Sequence, residues 1–373
     1  MSINLFKARY EVEECVDAIR KVLTSGWSGQ GPKCAEFEAA WKDFTGASNA
    51  HFVSSATAAL HVAVRLWDLP KGTKVATTPI TFVSSNAVLL YEGLEPVFCD
   101  VGPDLSLSFE SVKKAIESKG AKAVMWVHYG GSVSEDFYKL MTYARMNSIK
   151  VIEDCAHAAG ASYKDGSRVG SRTDTVSCFS FHSVKNLPIM DGGMLCVPDK
   201  GLHERATRLS WLGIDKSTYA RTAGEGNEVY KWSYDVPELG WKYNGNDIAA
   251  SIGLVQLKYL DRDNAYRKMI YGRYVENLVI GKVGLVTHSE KSAHHLVVAM
   301  VQNREAVIAG MKANGIAPGV HYLPNYLFPV FSKFDHSDCT GVEEWSKDIV
   351  SLPNHLCMTM KDVDEVCRVV KGC

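Results

Sequence analysis

From residue 49 to residue 154 short β-rich runs alternate with helix-patterned runs, and this alternation constrains the fold more than any other feature of the chain. NAHFVSS precedes ATAALHVAVRLW, KVATT precedes FVSSNAVLLYEG, EPVFCD precedes LSFESVKKAIESKG, AVMWVHY precedes EDFYKLMTYARMN, and KVIEDC closes the series. Strands joined through helices do not pair as hairpins; right-handed crossovers lay each new strand parallel to its neighbour. The pattern therefore predicts an α/β fold with a mostly parallel sheet flanked by helices. Ligand groups are expected in the loops at the carboxyl ends of the strands. TVSCFSFH and GMLCVP, separated by a short loop, add two strands and bring the sheet to seven.

The flanks of this block are read from capping and spacing. MSINLFKARYEVEECVDAIRKVL has helical spacing, TSGWSGQGPK reads as an irregular loop, and CAEFEAAWKDFTG as a helix ending at Gly46. One long helix is predicted from Asn246 to Leu278, an element suited to bridging two domains. HHLVVAMV then reads as a strand, REAVIAGMKANG and MKDVDEVCRVVKG as helices, and RTAGEGNEVYKWSY as a polar loop. A length of 373 residues exceeds one small module. We expect a large ligand-binding domain over residues 1–250 and a smaller α+β domain over residues 251–373.

Charge excludes several classes of partner. Lys plus Arg number 41 against 42 Asp plus Glu, so no net field draws in nucleic acid or an anionic membrane surface, and an anionic ligand must be caught locally. The apolar runs are too short for a membrane helix, and the N-terminal segment lacks a secretory pattern, so a cytoplasmic location is expected. The ten cysteines include several in apolar runs such as VSCFSF and GGMLCV, and none forms a CxxC pair. They read as reduced core residues, and no metal site is expected.

Asp154 closes the apolar run KVIED and is followed by small residues in CAHAAGA. Lys185 follows in FSFHSVKNLPIMDGG, in a loop after a strand and ahead of Gly192 and Gly193. Alone, the first is most simply a helix cap or an ion pair, and the second a solvated charge. Together they are what pyridoxal chemistry needs: an amine to hold the aldehyde, and an acid that keeps the pyridine nitrogen protonated. A phosphate cradle is the third requirement. Ser54, Ser55, Ala56 and Thr57 stand between a strand and a helix whose first N–H groups attract anions, although an ordinary cap would use the same residues. Ser180 offers a further hydroxyl on the strand leading to Lys185. Phe82, at a strand-to-helix junction, could stack on a ring, though buried Phe is usually core.

Taken in order, GWSGQGPKCAEFE, SSATAALHVAV, TPITFVSSNAVLLYEGLEPVFCDV, IEDCAHAAGA, FSFHSVKNLPIMDGG and LGWKYNGNDIAASIGLVQL resemble the DegT/DnrJ/EryC1/StrS family of sugar aminotransferases over roughly residues 20–260. GVHYLP looks like the tyrosine-containing motif of the family's C-terminal domain. The resemblance implies the aspartate-aminotransferase-like (type I) pyridoxal phosphate fold, in a homodimer with active sites at the interface. It makes Lys185 the Schiff-base lysine and Asp154 the partner of the pyridine nitrogen. Ser55, Ala56, Thr57 and Ser180 would hold the phosphate, and Phe82 would cover one ring face. His157 stands where relatives usually carry glutamine; it could hydrogen-bond the cofactor's 3-oxygen, but an imidazole can change charge near neutral pH. In the family an asparagine of a GYNYR-type motif contacts the phosphate from the partner subunit; GWKYNGND here puts Lys242 at that asparagine and Asn244 at the arginine, so either one could reach across the interface. Asp191 stands at the acidic position of the lysine loop. Trp27, Ser28, His321 and Tyr322 are candidates for the substrate at the mouth of the site.

The activity so implied moves an amino group from L-glutamate to a 3- or 4-keto deoxy-hexose carried on a nucleotide. The product would be an amino sugar for cell-surface polysaccharide, such as lipopolysaccharide O-antigen, or for a natural product. One alternative is a dehydratase on the same scaffold; such relatives replace the lysine by histidine or carry iron–sulfur cysteines, and this chain has neither feature. Another is a catalytically idle sensor or scaffold, which the Asp154–Lys185 pair disfavours.

Overall fold

The computed structural model describes residues 2–216, 219, 233–279 and 283–373. Its large sheet has seven strands: β1 (Asn49–Val53), β2 (Lys74–Thr77), β3 (Glu95–Phe98), β4 (Ala123–Val127), β5 (Lys150–Asp154), β6 (Val176–Ser180) and β7 (Gly193–Val197), in the order β1-β7-β6-β5-β4-β2-β3. The block from β3 to β6 is parallel, as crossover helices demand. β7 runs antiparallel to β6 because only the loop 181–192 joins them, too little chain to carry a helical crossover. β1 closes the edge antiparallel to β7.

The side-chain period of two then sorts the sheet's two faces. Ile152 and Cys178 pack with Ala59, Leu60 and Val62 of the helix Ala56–Leu66. Asp154 and Ser180, each two residues further on, are therefore delivered to that helix's side of the sheet, near its first turn. Val151, Cys155 and Phe179 face the other way and join Phe37, Trp41 and Phe137 in the second core.

A three-stranded antiparallel sheet, order β10-β9-β8, is built from β8 (Gly284–Leu285), β9 (Val297–Met300) and β10 (Ile349–Leu352). The helices Leu260–Leu278, Arg304–Ala313 and Met360–Lys371 cover it through Ile270, Tyr274, Val307, Val363 and Val366. Among the described residues no helix is long and apolar enough to cross a membrane. All ten cysteines are free thiols, with Cys357 and Cys373 exposed.

Two expected helices change extent. The first begins only at Val12, because the preceding residues serve as a strap: Ile3 N–H donates to Gly315 O at 2.9 Å, and Ala317 N–H donates to Ile3 O at 2.9 Å. The long helix from Asn246 is two, Asp247–Leu257 and Leu260–Leu278. Lys258 and Tyr259 between them are held by Glu14, through Lys258 Nζ at 3.0 Å and the Tyr259 hydroxyl. Helical periodicity continues across that break, so only the tertiary contact reveals it. Of the polar stretch expected as a loop, residues 221–232 lie outside the described residues.

Candidate active site

A cavity of about 650 Å³ opens at the carboxyl ends of β4, β5 and β6, lined by Val127, Asp154 and Ser180. The ladder pairs Val127 with Asp154 and Asp154 with Cys178, so the strand ends stand side by side. Ser55, Ala56 and Thr57 from the first turn of helix Ala56–Leu66, Lys185 and Asp191 from the loop after β6, and Phe82 and Ser84 after β2 complete this side. His157, His295, His321 and Tyr322 line the opposite wall. The structure thus gathers Ser55, Ala56, Thr57, Phe82, Asp154, His157, Ser180, Lys185, His321 and Tyr322 at one cavity.

Asp154 is 3% exposed and forms no ion pair among the described residues. Its carboxylate accepts Ser85 Oγ–H at 2.7 Å and Ala156 N–H at 3.1 Å. Burial raises its pKa above the ordinary carboxylate value, and these two donors together with the Lys185 charge pull the other way. Glu153, one residue earlier on the other face, contrasts with it. Four neighbours surround that carboxylate: His128 Nε2 at 2.8 Å, the Tyr163 hydroxyl at 2.7 Å, the Thr175 hydroxyl, and the Ser177 hydroxyl at 3.2 Å. Burial alone would raise the Glu153 pKa, but the bonds from His128, Thr175 and Tyr163 bring it below the ordinary value. Glu153 is electrostatically complete; Asp154 still lacks a cation.

Lys185 Nζ has no hydrogen-bond or ion-pair partner among the described residues. Burial pulls its pKa down to about 8, partly opposed by the Asp154 charge. At the third corner Ser55 caps its own helix, its Oγ accepting Ala58 N–H at 3.1 Å. The N–H groups of Ala56 and Thr57 precede the first intrahelical bond, so they remain available to an anion. Gly193 lies behind this turn: a Cβ there would sit 2.4 Å from Ser55 O and 2.6 Å from Ala56 N, so glycine alone permits the approach. Phe82 is 58% exposed at the rim, its ring 6.5 Å from that of Tyr322.

The histidine wall is neutral. Burial first, then the Lys185 charge and His321, hold the His157 pKa well below the usual imidazole value, so its charge does not change near neutral pH. Its Nε2 shares a 3.1 Å hydrogen bond with the Tyr322 hydroxyl. His321 is held at about 4 by burial and Lys185, with Nδ1 2.8 Å from Ser351 Oγ.

Four of the sequence candidates lie elsewhere. Trp27, Ser28, Lys242 and Asn244 line a separate cavity of about 470 Å³. Lys242 Nζ donates to Asn244 Oδ1 at 2.8 Å and stands 3.7 Å from the centre of the Trp211 ring. A third cavity, of about 420 Å³, is lined by Ser134, Lys164, His288 and Lys291, and Lys164 there is already paired with Glu135 at 3.1 Å.

Sequence reasoning missed Ser85, Asn186 and His295. The serine pair in FVSSN was a visible hint for Ser85, being two hydroxyls just beyond Phe82. HHLVVAMV carries no such hint, since a histidine beside an apolar run reads as strand.

The DegT/DnrJ/EryC1/StrS aminotransferase family model matches residues 9–371. The spore coat polysaccharide biosynthesis protein SpsC of Bacillus subtilis (strain 168) is 33% identical over 373 residues, covering 96% of this chain and 94% of SpsC. The aminotransferase TlmJ from Streptoalloteichus hindustanus superposes with a TM-score of 0.90 at 28% identity, covering 100% of this chain and 98% of TlmJ. Spr1654 from Streptococcus pneumoniae, in its PLP form, gives 0.88 at 25% identity, covering 100% of this chain and 98% of that one. With nearly its whole length matched, the chain belongs to the DegT/DnrJ/EryC1/StrS aminotransferase family.

Proposed function

We propose that this protein transfers the amino group of L-glutamate to the keto carbon, C3 or C4, of a nucleotide-linked deoxy-hexose, with Lys185 and Asp154 holding pyridoxal 5′-phosphate between them. Family membership makes the chain a pyridoxal-phosphate-dependent sugar aminotransferase. The donor, the sugar and the residue roles are our reading. One observation carries it: an unpaired amine, a buried acid without a cation, and an anion-attracting helix start all open on the same cavity.

The residues fit the cofactor by their chemistry. Asp154 is a buried carboxylate with two donors and no counter-charge, a state that a protonated ring nitrogen would complete. When bound, pyridoxal phosphate supplies a carbonyl that condenses with amines and an electron-poor ring that withdraws charge from the reacting carbon. Lys185 Nζ holds that carbonyl between turnovers. When free, it would take up and return a proton at the reacting carbon, and a pKa of about 8 leaves part of it as free base at neutral pH. Ser55, Ala56, Thr57 and Ser180 would bind the phosphate, Phe82 would cover a ring face, and neutral His157 would orient the 3-oxygen. His321 and Tyr322 orient the sugar.

Lys242, Asn244, Trp27 and Ser28 share a pocket away from their own chain's Lys185, which supports a homodimer in which each protomer completes the other's site. We place the division between a large and a small domain near residue 250. The helix Asp247–Leu257 crosses that position and packs in the core with Phe37 and Trp41, which carries the large domain on to the break at Lys258 and Tyr259, whereas Leu260–Leu278 packs with Val363 and Val366. A role in supplying cell-surface polysaccharide accords with the name of SpsC, and we place the enzyme in the cytoplasm. The test is incubation with pyridoxal phosphate, L-glutamate and dTDP-, UDP- or GDP-linked keto-hexoses, with products read by mass and NMR. An amino sugar with matching 2-oxoglutarate is expected; a dehydrated, nitrogen-free sugar would favour the dehydratase reading instead.

A further inference from the structure

The loop that carries Lys185 is closed on itself by backbone bonds. Phe181 N–H donates to Gly192 O at 2.9 Å, Ser183 N–H to Met190 O at 2.9 Å, and Lys185 N–H to His182 O at 2.8 Å. Asn186, 3% exposed and next in sequence to the lysine, ties this lobe to the rest of the molecule. Its Nδ2 donates to Asn264 Oδ1 at 2.7 Å and to Ala293 O at 2.8 Å, and its Oδ1 lies 2.8 Å from His295 Nδ1.

Two backbone carbonyls, which can only accept, set the direction of every bond in this relay. Ala159 O takes Asn264 Nδ2–H at 2.9 Å, which turns Asn264 Oδ1 toward Asn186. Ala293 O independently requires the nitrogen of Asn186 on its own side. Asn186 therefore presents its oxygen to His295, and His295 must carry its proton on Nδ1. Burial, with His157 and Lys185 nearby, keeps this imidazole neutral, so the tautomer is stable.

The far ends of the relay are rigid. Ala293 N–H donates to Gly131 O at 3.0 Å and His295 N–H to Gly130 O at 2.9 Å, while Asn354 Nδ2 donates to His294 O at 2.6 Å. Phe6 from the N-terminal strap stacks on the His295 ring at 5.8 Å with planes 11° apart. Gly160, with φ +83°, leaves the space Asn264 needs: a Cβ there would stand 2.5 Å from Asn264 Nδ2.

The geometry points to Asn186 and His295 as positioning residues: the chain Ala159–Asn264–Asn186–His295 fixes the lysine loop against the approach to β9 and thereby sets where Lys185 Nζ meets the cofactor carbonyl. This rests on the assignment of Lys185 above. Asn186 does not line the cavity, so an effect of its removal cannot come from a lost substrate contact.

The experiment compares holoenzyme of the wild type with Asn186→Ala, His295→Ala and His295→Asn, the last placing an amide N–H where the imidazole N–H stands. Three quantities are read: the rate at which borohydride fixes the cofactor on Lys185, by peptide mass; kcat and KM of the half-reaction with L-glutamate; and the thermal melting curve. Asn186→Ala and His295→Ala should slow fixation and kcat about tenfold or more with KM within about threefold, and His295→Asn should recover most of the loss, since small misplacements of a reacting group are costly. Equal rates for the two His295 variants, or a wild-type rate in Asn186→Ala, would overturn the proposal. Should Asn186→Ala not fold, the His295 pair decides. Failure of the wild type itself to fix cofactor on Lys185 would remove the assignment of that lysine, and this inference with it.

Discussion

The two sides of the cavity are buried to similar depth but treat charge in opposite ways. On the sheet side Asp154 and Lys185 form no ion pair, but both line the cavity and the charge of each moves the other's ionisation back toward its ordinary range against the effect of burial. On the histidine side His157, His295 and His321 have as partners the Tyr322 hydroxyl, the Asn186 amide and the Ser351 hydroxyl, none of which offers a counter-charge, and all three stay neutral. Burial by itself discharges a group; a charge survives inside only where an opposite charge or several donors meet it. The proposed function accordingly puts proton transfer on the first side and orientation through neutral hydrogen bonds on the second.

The contrast can be broken by substitution on either side. Lys185→Ala removes the only amine that lines the cavity among the described residues and should lower turnover by about 10³-fold or more, as expected for loss of a general acid–base group. Steady-state assay, together with loss of borohydride labelling at this position, checks it; turnover within tenfold of wild type would place the chemistry elsewhere. Asp154→Asn keeps the shape and removes the charge, and should cost about 10²-fold in kcat, the scale of one lost electrostatic contact.

The same pair makes a pH prediction for the protein freed of cofactor. Below its pKa Lys185 is an unreactive ammonium, so modification by a small acylating reagent should rise with pH through a midpoint of about 8. Because Asp154 favours the ammonium, Asp154→Asn should move that midpoint lower still. A midpoint near the free-lysine value of about 10.4 would contradict the buried pair. The smallest effect is expected on the other wall: His157→Gln exchanges one neutral hydrogen-bonding group for another and should change kcat by about threefold or less. NMR of the wild type should show no titration of His157, His295 or His321 between about pH 5.5 and 7.5, the range in which free imidazole changes charge. A titrating His157 would erase the difference between the walls.

The parts of the site legible in the sequence are those that a local pattern places. Strand runs with period two end at Asp154 and at Ser180, the helix start at Ala56 follows β1 directly, and Lys185 lies in the short loop between β6 and β7. Position along such a run decides which face and which end of the sheet a side chain reaches, so alternation alone brought these residues to one edge. The contacts across the histidine wall have no such address. Asn186 and His295 are 109 positions apart, and His157 and Tyr322 are 165 apart. The N-terminal strap likewise depends on Ile3 meeting Gly315, and the break in the long helix on Tyr259 meeting Glu14.

What the amino-acid sequence determined by itself was the α/β architecture and the acid, amine and helix start at the ends of its strands, because hydrophobic period and capping act over a few residues. Only the tertiary structure decided the protonation of the cavity wall, the tautomer of His295 and the separation of Lys242 and Asn244 from Lys185. Burial and long-range hydrogen bonds exist only once distant segments have packed.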